Sequence, residues 1–379
     1  EFVTRSFVIG SVNFTTIDVK LPRFKEDSLY NDEILRFLIP RGLCFVFADN
    51  SYVYTLYGHP KFGNEGDFNN NNIDLKNSND GITKIFRSKE NGECAHWGAF
   101  ELNNQIYEIY GSKNVHLIVR TEHVKEDLAS YYNDQRYSYA IKMALLIDST
   151  TLDKRMATQY LVSTGNVLCG EGCFTDSQHL VRYDTSKMYF FAVTGKRHDI
   201  SDSLVKMNPA LVDDFITSIG LTPVLQSILT TTHDQQNAAE THFENKDNSE
   251  GAVVSCIDSS GHVIYTYKHK NYDYIFRRAL REQMKKFATT QRILKRFADL
   301  HIVHPQLSEM TEWALAFNAS FRQALSDEDR STFFENWVTW NAVFLTIPKD
   351  EKTALLLQHE EYEKSKSTLE VIMFTAMPG

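Results

Sequence analysis

The sequence predicts an α+β protein, with sheets in the first two thirds of the chain and helices in the last third. Two observations predict this class. Segments with apolar or aromatic side chains at every second position recur through the first part, and this period is typical of half-buried strands. From Tyr272 to about Ser365 the period becomes that of helices, with runs of Lys, Arg, Leu, Ala, Glu and Gln.

The alternating segments predict individual strands, and the change of period predicts a domain boundary. Strands are expected at residues 43–48, 52–57, 94–101 and 115–120. A first domain is expected over residues 1–288, and a helical C-terminal module over 289–366.

Composition and charge limit the class of protein. The chain of 379 residues is 42% hydrophobic, which is enough to bury a core, and its net charge is -9. A negative chain does not coat nucleic acid by overall attraction, so any RNA contact must come from local basic patches. No apolar run is long enough to cross a membrane, and the start does not resemble a signal peptide. We therefore expect an intracellular protein, cytoplasmic or nuclear, that does not bind membranes.

The five cysteines fit reduced thiols better than a disulfide framework, since their number is odd and they are scattered. Only Cys169 and Cys173 are close in sequence. A zinc site at this pair would need two more ligands at recognisable spacing, which the 13 histidines do not supply. We expect both cysteines to be small buried residues.

The most informative string is SKENGECAHWGAF, in which Lys89 is followed by Glu90, Asn91 and Gly92 and then by a predicted strand. A lysine attacks phosphorus only as the free amine, so its pKa must be lowered by burial or by nearby positive charge. Taken alone, a lysine three residues before a glycine is also typical of a surface turn.

Further charged and aromatic side chains occur beside glycines or on predicted strands along the chain. IPRG and HPKFG precede Lys89, and GSK, GEG, MYFFAVT, EGAV and YKHK follow it. These segments contribute Arg41, Lys61, Lys113, Glu171, Phe190, Phe191, Glu250, Lys268 and Lys270.

Each of these segments also has an ordinary structural explanation. Arg41 could be a surface salt-bridge partner, Glu171 part of a turn, and Glu250 a solvated carboxylate. The Phe pair could belong to the core, and the two lysines of YKHK could lie on the exposed face of an edge strand. These ordinary explanations become improbable when all the segments occur together in this order.

In that order the segments resemble the motifs of the covalent nucleotidyltransferases, the superfamily of RNA ligases, DNA ligases and mRNA capping enzymes. The resemblance covers about residues 38–282. Arg41 and Lys61 resemble elements of phage-type and fungal tRNA-type RNA ligases, although Gly63 stands where that pattern often has a second Phe. The resemblance implies a nucleotidyltransferase fold of packed antiparallel sheets with flanking helices, followed by an all-helical C-terminal module.

The resemblance also implies roles near the lysine. Lys89 would take AMP from ATP onto its side-chain nitrogen, and Glu90, Asn91 and Gly92 would complete the nucleotide-binding motif. Lys113 would contact the nucleotide and, with the other lysines, help to keep Lys89 deprotonated.

The remaining roles concern the rest of the nucleotide. Glu171 would accept hydrogen bonds from the ribose hydroxyls, Phe190 or Phe191 would stack on the purine, and Glu250 would help to hold Mg²⁺ or Mn²⁺. Two pairs of basic residues would contact phosphates, Arg41 with Lys61 at the β- and γ-phosphates and Lys268 with Lys270 at the α-phosphate.

The activity implied is that of an ATP-dependent RNA ligase in tRNA splicing or RNA repair. It would be a monomer that transfers AMP to an RNA 5′-phosphate and seals this end to a 3′-hydroxyl, with tRNA halves among the possible substrates. The alternatives are a capping guanylyltransferase or DNA ligase of the same superfamily, or a non-catalytic RNA-binding relative. Capping enzymes and DNA ligases carry an OB-fold after the YKHK element, where this sequence predicts helices.

Two features lie beyond that element. A set of basic side chains shares one face of a predicted helix and either contacts RNA phosphates or forms an ordinary solvated face. These side chains are Arg277, Arg281, Lys285, Arg292 and Arg296. The final STLEVIMFTAMPG is typical of a strand that enters a phosphate-binding loop, so residues 367–379 are expected to begin a truncated kinase-like domain.

Overall fold

The computed structural model describes residues 1–21, 29–64, 82–150, 154–177, 179–195, 208–271 and 274. The predicted basic helix, the helical module at 289–366 and the segment 367–379 lie outside these described residues. By its contacts the chain divides into a larger unit, Glu1–Phe243 with Gly251–His269, and a second unit, Glu244–Glu250 with Lys270–Gly379. The described part is mixed α+β, with mostly antiparallel sheets and flanking helices.

The first sheet is an antiparallel meander of four strands. It contains β1 (Phe2–Ile9), β2 (Val12–Val19), β3 (Cys44–Ala48) and β4 (Ser51–Leu56) in that spatial order. Helix α1 (Glu33–Leu38) connects β2 to β3, and it begins where the Asp32 carboxylate accepts a hydrogen bond of 3.0 Å from the Leu35 N–H. Such a cap satisfies one of the free amides of the first helical turn.

The central sheet has five antiparallel strands. They are β7 (Glu93–Leu102), β8 (Gln105–Gly111), β9 (His116–Arg120), β10 (Val167–Cys173) and β11 (Lys187–Thr194), in the spatial order β11-β10-β7-β8-β9. The helices associated with this sheet are α2 (Val124–Leu128), α3 (Ser138–Thr150), α4 (Lys154–Thr164) and α5 (Pro209–Ser218). Three short 3₁₀ turns span Thr121–His123, Ala129–Tyr131 and Gln135–Tyr137. Trp97 is fully buried in the core that this sheet shares with the first sheet.

The third sheet contains β5 (Gly63–Asn64), β6 (Thr83–Ser88), β12 (Ser227–Thr230), β13 (Gly251–Ile257) and β14 (Val263–Lys270). Its spatial order is β12-β6-β13-β14-β5, and the short β5 runs parallel to β14. Helix α6 (His233–Asn245) covers it through Phe243, whose ring stacks on Phe86 with centroids 6.4 Å apart. This sheet therefore has its own small core.

All four strands expected from alternation are present, as β3, β4, β7 and β9, each within one residue of the predicted bounds. Cys169 and Cys173 are both buried, as expected. The alternation did not reveal the helices that flank the central sheet. Within the described residues, no helix combines the length and the apolar character needed to cross a membrane.

In the second unit, the described residues are held together by Asn271. Its backbone N–H donates to the Glu250 carbonyl at 3.1 Å, and its side-chain nitrogen donates to the Lys246 carbonyl at 2.8 Å. The Asn271 side-chain oxygen accepts from the Tyr274 N–H at 3.1 Å. Asn271 is buried, so these bonds satisfy polar groups that water does not reach.

Candidate active site

Lys89 lies where the chain crosses from one sheet to another. It directly follows β6 of the third sheet and precedes β7 of the central sheet. Its backbone N–H donates to the Gly251 carbonyl at 2.9 Å, next to the first bonds of β13. Gly251 has a φ of 116°, which a side chain would strain, so the glycine of the EGAV segment has a backbone reason. Lys89 is thus held at the end of β6, which is an interior strand of the third sheet.

A pocket of about 740 Å³, measured with its open mouth, is lined by Lys89 in the larger unit. Most of the lining is apolar. The apolar lining residues are Ala192, Val193, Pro209, Val212, Val224, Val253 and Val263. The charged ones are Arg87, Lys89, Glu90 and Glu171, and the rings are His59, Phe62 and Phe191.

Of the two phenylalanines that the sequence left open, Phe191 lines the pocket and Phe190 does not. Phe190 is buried against Trp97, with ring centroids 6.2 Å apart. The cause is a β-bulge: on β10, Cys169 pairs with Ala192 and Gly170 with Phe190, so Phe191 is the extra residue of β11. Bulges re-aim side chains at sheet positions near functional sites. Of the FF pair, Phe191 is therefore the ring that lines the pocket.

The bulge is supported by a buried ion pair that the sequence did not indicate. Arg87 donates to the Phe191 carbonyl at 2.7 Å and is paired with Asp213 of α5. Burial lowers the pKa of Arg87 and raises the pKa of Asp213, and in each case the partner's charge opposes the shift. The carbonyl of a bulged residue has no regular partner in the ladder. Arg87 supplies that partner from the neighbouring sheet.

Glu171 lies on β10 between two glycines, and both glycines are required by packing. A Cβ at Gly170 would come within 2.5 Å of the Tyr189 carbonyl oxygen, and one at Gly172 within 2.7 Å of the Phe174 ring. A Cβ at Gly92 would come within 2.4 Å of the Gly172 carbonyl oxygen. The GEG segment is therefore strand and not a turn, and the backbone after Lys89 lies directly on it.

Arg41 and Glu171 both act electrostatically on Cys94. Burial is the main cause that raises the pKa of Cys94; Glu171 raises it further and Arg41 lowers it. Because Coulomb interactions weaken with distance, both charges are near the start of β7. The structure thus brings Arg41 to the same end of the central sheet as Glu171.

Glu90 and Asn91 are buried rather than open to solvent, and their side chains bond to the protein itself. Glu90 accepts hydrogen bonds from the Ser88 hydroxyl at 2.7 Å and from the Leu225 N–H at 3.2 Å. Asn91 accepts from the Leu180 and Val181 amides. Glu90 lines the pocket, whereas neither Asn91 nor Gly92 is among its described lining residues.

Two of the predicted lysines lie close to aromatic rings. Lys268 Nζ is 5.2 Å from the ring centroid of Phe62, which lines the pocket, and Lys61 Nζ is 5.5 Å from that of Tyr30. The parallel pairing of β5 with β14 sets Asn64 opposite Lys268. Both distances are within the range of cation–π attraction, which is about 6 Å.

The other predicted residues are less closely tied to the pocket. Lys113 lies in the turn between β8 and β9 and is not among the described lining residues. In the second unit, Lys270 is the last residue of β14, and Glu250 is buried immediately before β13. Lys113, Glu250 and Lys270 are thus not among the described residues that line the pocket.

A nucleotide fits the residues that are present. The apolar walls and Phe191 suit a purine, and Lys89 and Glu171 add an amine and a carboxylate at the same pocket. The Glu171 carboxylate is also of the oxygen-ligand type that Mg²⁺ prefers.

A family model described as "Domain of unknown function (DUF7920)" matches residues 39–281. Among solved structures, the chain is similar to form 2 of an archaeal ATP-dependent RNA ligase at 12% identity and a TM-score of 0.49, over 92% of this chain and 75% of that one. It is also similar to a mutant RNA ligase of Naegleria gruberi with AMP and Mn, at 15% identity and a TM-score of 0.33, over 57% of this chain and 56% of that one. No curated protein matches the sequence.

Proposed function

The chain belongs to the family described as Domain of unknown function (DUF7920), and we propose that it is an ATP-dependent RNA ligase that works through a covalent lysyl-AMP at Lys89. One observation carries the proposal. Lys89, Glu171 of the GEG segment and Phe191 of the FF pair were chosen from sequence, lie far apart along the chain, and line one pocket.

The first step is the transfer of AMP to the lysine. The lone pair of deprotonated Lys89 Nζ forms a bond to the α-phosphorus of ATP as the bond to pyrophosphate breaks, and the amine loses its second proton to solvent. Arg41 and Lys61 hold the β- and γ-phosphates of the leaving pyrophosphate. Lys268 neutralises charge that develops on the α-phosphate.

The nucleoside is held by the rest of the pocket. Phe191 stacks on the purine, and Glu171 accepts hydrogen bonds from the ribose hydroxyls. Glu250, in the second unit, would hold Mg²⁺ or Mn²⁺ through its carboxylate. The other lysines near the phosphates favour the free amine of Lys89, because like charges disfavour its protonation.

Two further transfers complete the ligation. A 5′-phosphate oxygen of the RNA attacks the phosphorus of lysyl-AMP, which forms a 5′–5′ pyrophosphate and releases the lysine. A 3′-hydroxyl then attacks the RNA phosphate, forms the phosphodiester and displaces AMP. The RNA with 5′-phosphate and 3′-hydroxyl ends, as in tRNA splicing or RNA repair, is the partner that we propose.

Labelling tests the first step. The full chain is incubated with Mg²⁺ and α-labelled ATP or GTP and resolved on a denaturing gel. We expect label from ATP on the wild type and on the Lys142→Ala control, whose lysine is paired with Asp176 at 2.8 Å outside the pocket, and none on Lys89→Ala. Labelling by GTP would support a capping enzyme instead, and an unlabelled wild type would contradict covalent catalysis.

A second assay tests the polynucleotide. RNA and DNA strands of the same sequence, each with a 5′-phosphate, are offered to the labelled enzyme. Transfer of AMP to RNA in preference to DNA supports the RNA ligase, whereas transfer to nicked DNA alone would assign the chain to the DNA ligases.

A further inference from the structure

A tyrosine that the sequence motifs do not include bonds to both residues that follow Lys89. The Tyr183 hydroxyl donates to the Glu90 carboxylate at 3.0 Å and accepts from the Asn91 backbone N–H at 2.9 Å. Tyr183 lies between β10 and β11, distant in sequence from both partners. Burial and Glu90 raise the pKa of Tyr183, so the phenol stays protonated and remains a donor.

The same segment is bound to the lysine loop at further points. The Asn91 side-chain oxygen accepts from the Leu180 N–H at 3.0 Å and from the Val181 N–H at 3.2 Å. His179 Nε2 lies 2.9 Å from a Glu93 carboxylate oxygen. Residues 179–183 therefore contact the chain on the C-terminal side of Lys89 through side chains and backbone together.

These bonds hold the backbone on both sides of the Lys89 side chain. Its own N–H is bonded to Gly251, and the residue after it is held by Ser88, Leu225 and Tyr183. Buried polar groups that satisfy one another are costly to separate, since each would lose its partner without gaining water. The backbone from which the Lys89 side chain extends is thereby fixed, and small misplacements of reacting atoms slow a reaction strongly.

We propose that Tyr183 is a positioning residue for Lys89, and that Glu90 and Asn91 serve in the lysine motif by binding the 179–183 segment. This inference rests on the proposed function, because it concerns the rate at which Lys89 accepts AMP. Tyr183 acts through the loop and does not contact the reacting atoms. Its removal should therefore slow lysine adenylylation and leave ATP binding and the sealing step largely intact.

The test is single-turnover labelling of the full chain with α-labelled ATP, for wild type, Tyr183→Phe and Tyr131→Phe. Tyr131 is the matched control, since its buried hydroxyl also accepts from a backbone N–H, at 3.2 Å, and donates to a carbonyl, at 2.9 Å, both of Ile118 and away from the pocket. Loss of either hydroxyl removes bonds of the same kind. Circular dichroism checks that each variant is folded.

For Tyr183→Phe we expect labelling at saturating ATP to be roughly 10- to 100-fold slower, with an unchanged half-saturating ATP concentration. Sealing of chemically pre-adenylylated RNA, which bypasses Lys89, should stay at the wild-type rate. Tyr131→Phe should label like the wild type. Asn91→Leu, which removes the acceptor for Leu180 and Val181, should lower the same rate and tests the segment if Tyr183→Phe does not fold.

Three outcomes would overturn the inference. Equal labelling rates of Tyr183→Phe and wild type would remove Tyr183 from this role. A parallel loss of labelling and sealing, shared by Tyr131→Phe, would indicate general destabilisation instead of positioning. A wild type that takes no label at all would contradict the proposed function itself, and this result is distinct from the other two.

Discussion

Two buried arginine–aspartate pairs occur in the larger unit, and they serve different surroundings. Arg87 and Asp213 lie beside the pocket and hold the carbonyl of the bulged Phe191. Arg5 of β1 and Asp18 of β2 lie in the first sheet, where Asp18 Oδ1 is also 2.5 Å from His116 Nδ1 of β9. The first pair fixes a ligand-facing residue, and the second joins two sheets.

A buried charge does not by itself identify an active site. Asp18, Cys44 and His116 have ligand atoms within 4.8 Å of one another, a geometry that could suit a metal ion. However, Arg5 already pairs with Asp18 there, and its positive charge disfavours a second cation. The pair at Arg87 differs because Arg87 lines the same pocket as Lys89 and Glu171.

The largest effect is expected for Arg87→Met, which leaves Asp213 buried without its partner and frees the bulge. The free energy of unfolding should fall by about 3–5 kcal/mol, and the half-saturating ATP concentration for labelling should rise about tenfold or more as Phe191 loses its position. Urea denaturation and labelling measure the two effects. If ATP binding were unchanged in the folded variant, Arg87 would have no link to the pocket.

Asp18→Asn should have a smaller effect, confined to stability. The substitution keeps one acceptor but weakens the bonds to Arg5 and His116, and we expect a loss of about 2–3 kcal/mol in the free energy of unfolding. Half-saturating ATP should stay at the wild-type value. A large change in ATP binding would mean that the two pairs are coupled, and a double variant with Arg87→Met would measure that coupling.

The pH dependence of stability should report on His96, whose ring stacks on His116 with centroids 5.8 Å apart. Burial lowers the pKa of His96 from 6.5 to about 3, with a smaller contribution from His116. Below the ordinary pKa of 6.5 the unfolded chain protonates His96, whereas the folded chain keeps it neutral. The contribution of His96 to the free energy of unfolding is therefore complete above about pH 6.5 and is lost as the pH falls toward 3. Between about pH 6 and about pH 5, the free energy of unfolding should fall by roughly 1 kcal/mol less in His96→Gln than in the wild type. An identical pH dependence in the variant and the wild type would show that His96 is protonated in the folded state.

The smallest effect is expected at an exposed pair. Arg136 contacts Asp134 at 2.5 Å, but the Arg136 side chain is 64% exposed. Exposed pairs contribute little because solvent screens them. Arg136→Ala should have the wild-type melting temperature, as measured by calorimetry. A clear fall would show that burial does not decide how much each of the three pairs contributes to stability.

The sequence predicts those features whose residues are close together along the chain. The strands and Lys89 are visible because alternation and a short motif lie within a few neighbouring residues. Arg87 and Asp213 are 126 residues apart, and Tyr183 lies 93 residues from Glu90. No period connects such pairs, so only the fold brings them together. The choice between Phe190 and Phe191 was equally hidden, because a period of two cannot predict a bulge.

The same bulge affects how β11 tolerates a shift of its register by one residue. β11 carries Tyr189, Phe190 and Phe191 in succession, so a slip that moved Phe190 into the place of Phe191 would still present an aromatic side chain to the pocket. A slip in the opposite sense would present Ala192 instead. An insertion of one residue before Phe190 that shifts β11 in the first sense would therefore keep an aromatic side chain at the pocket.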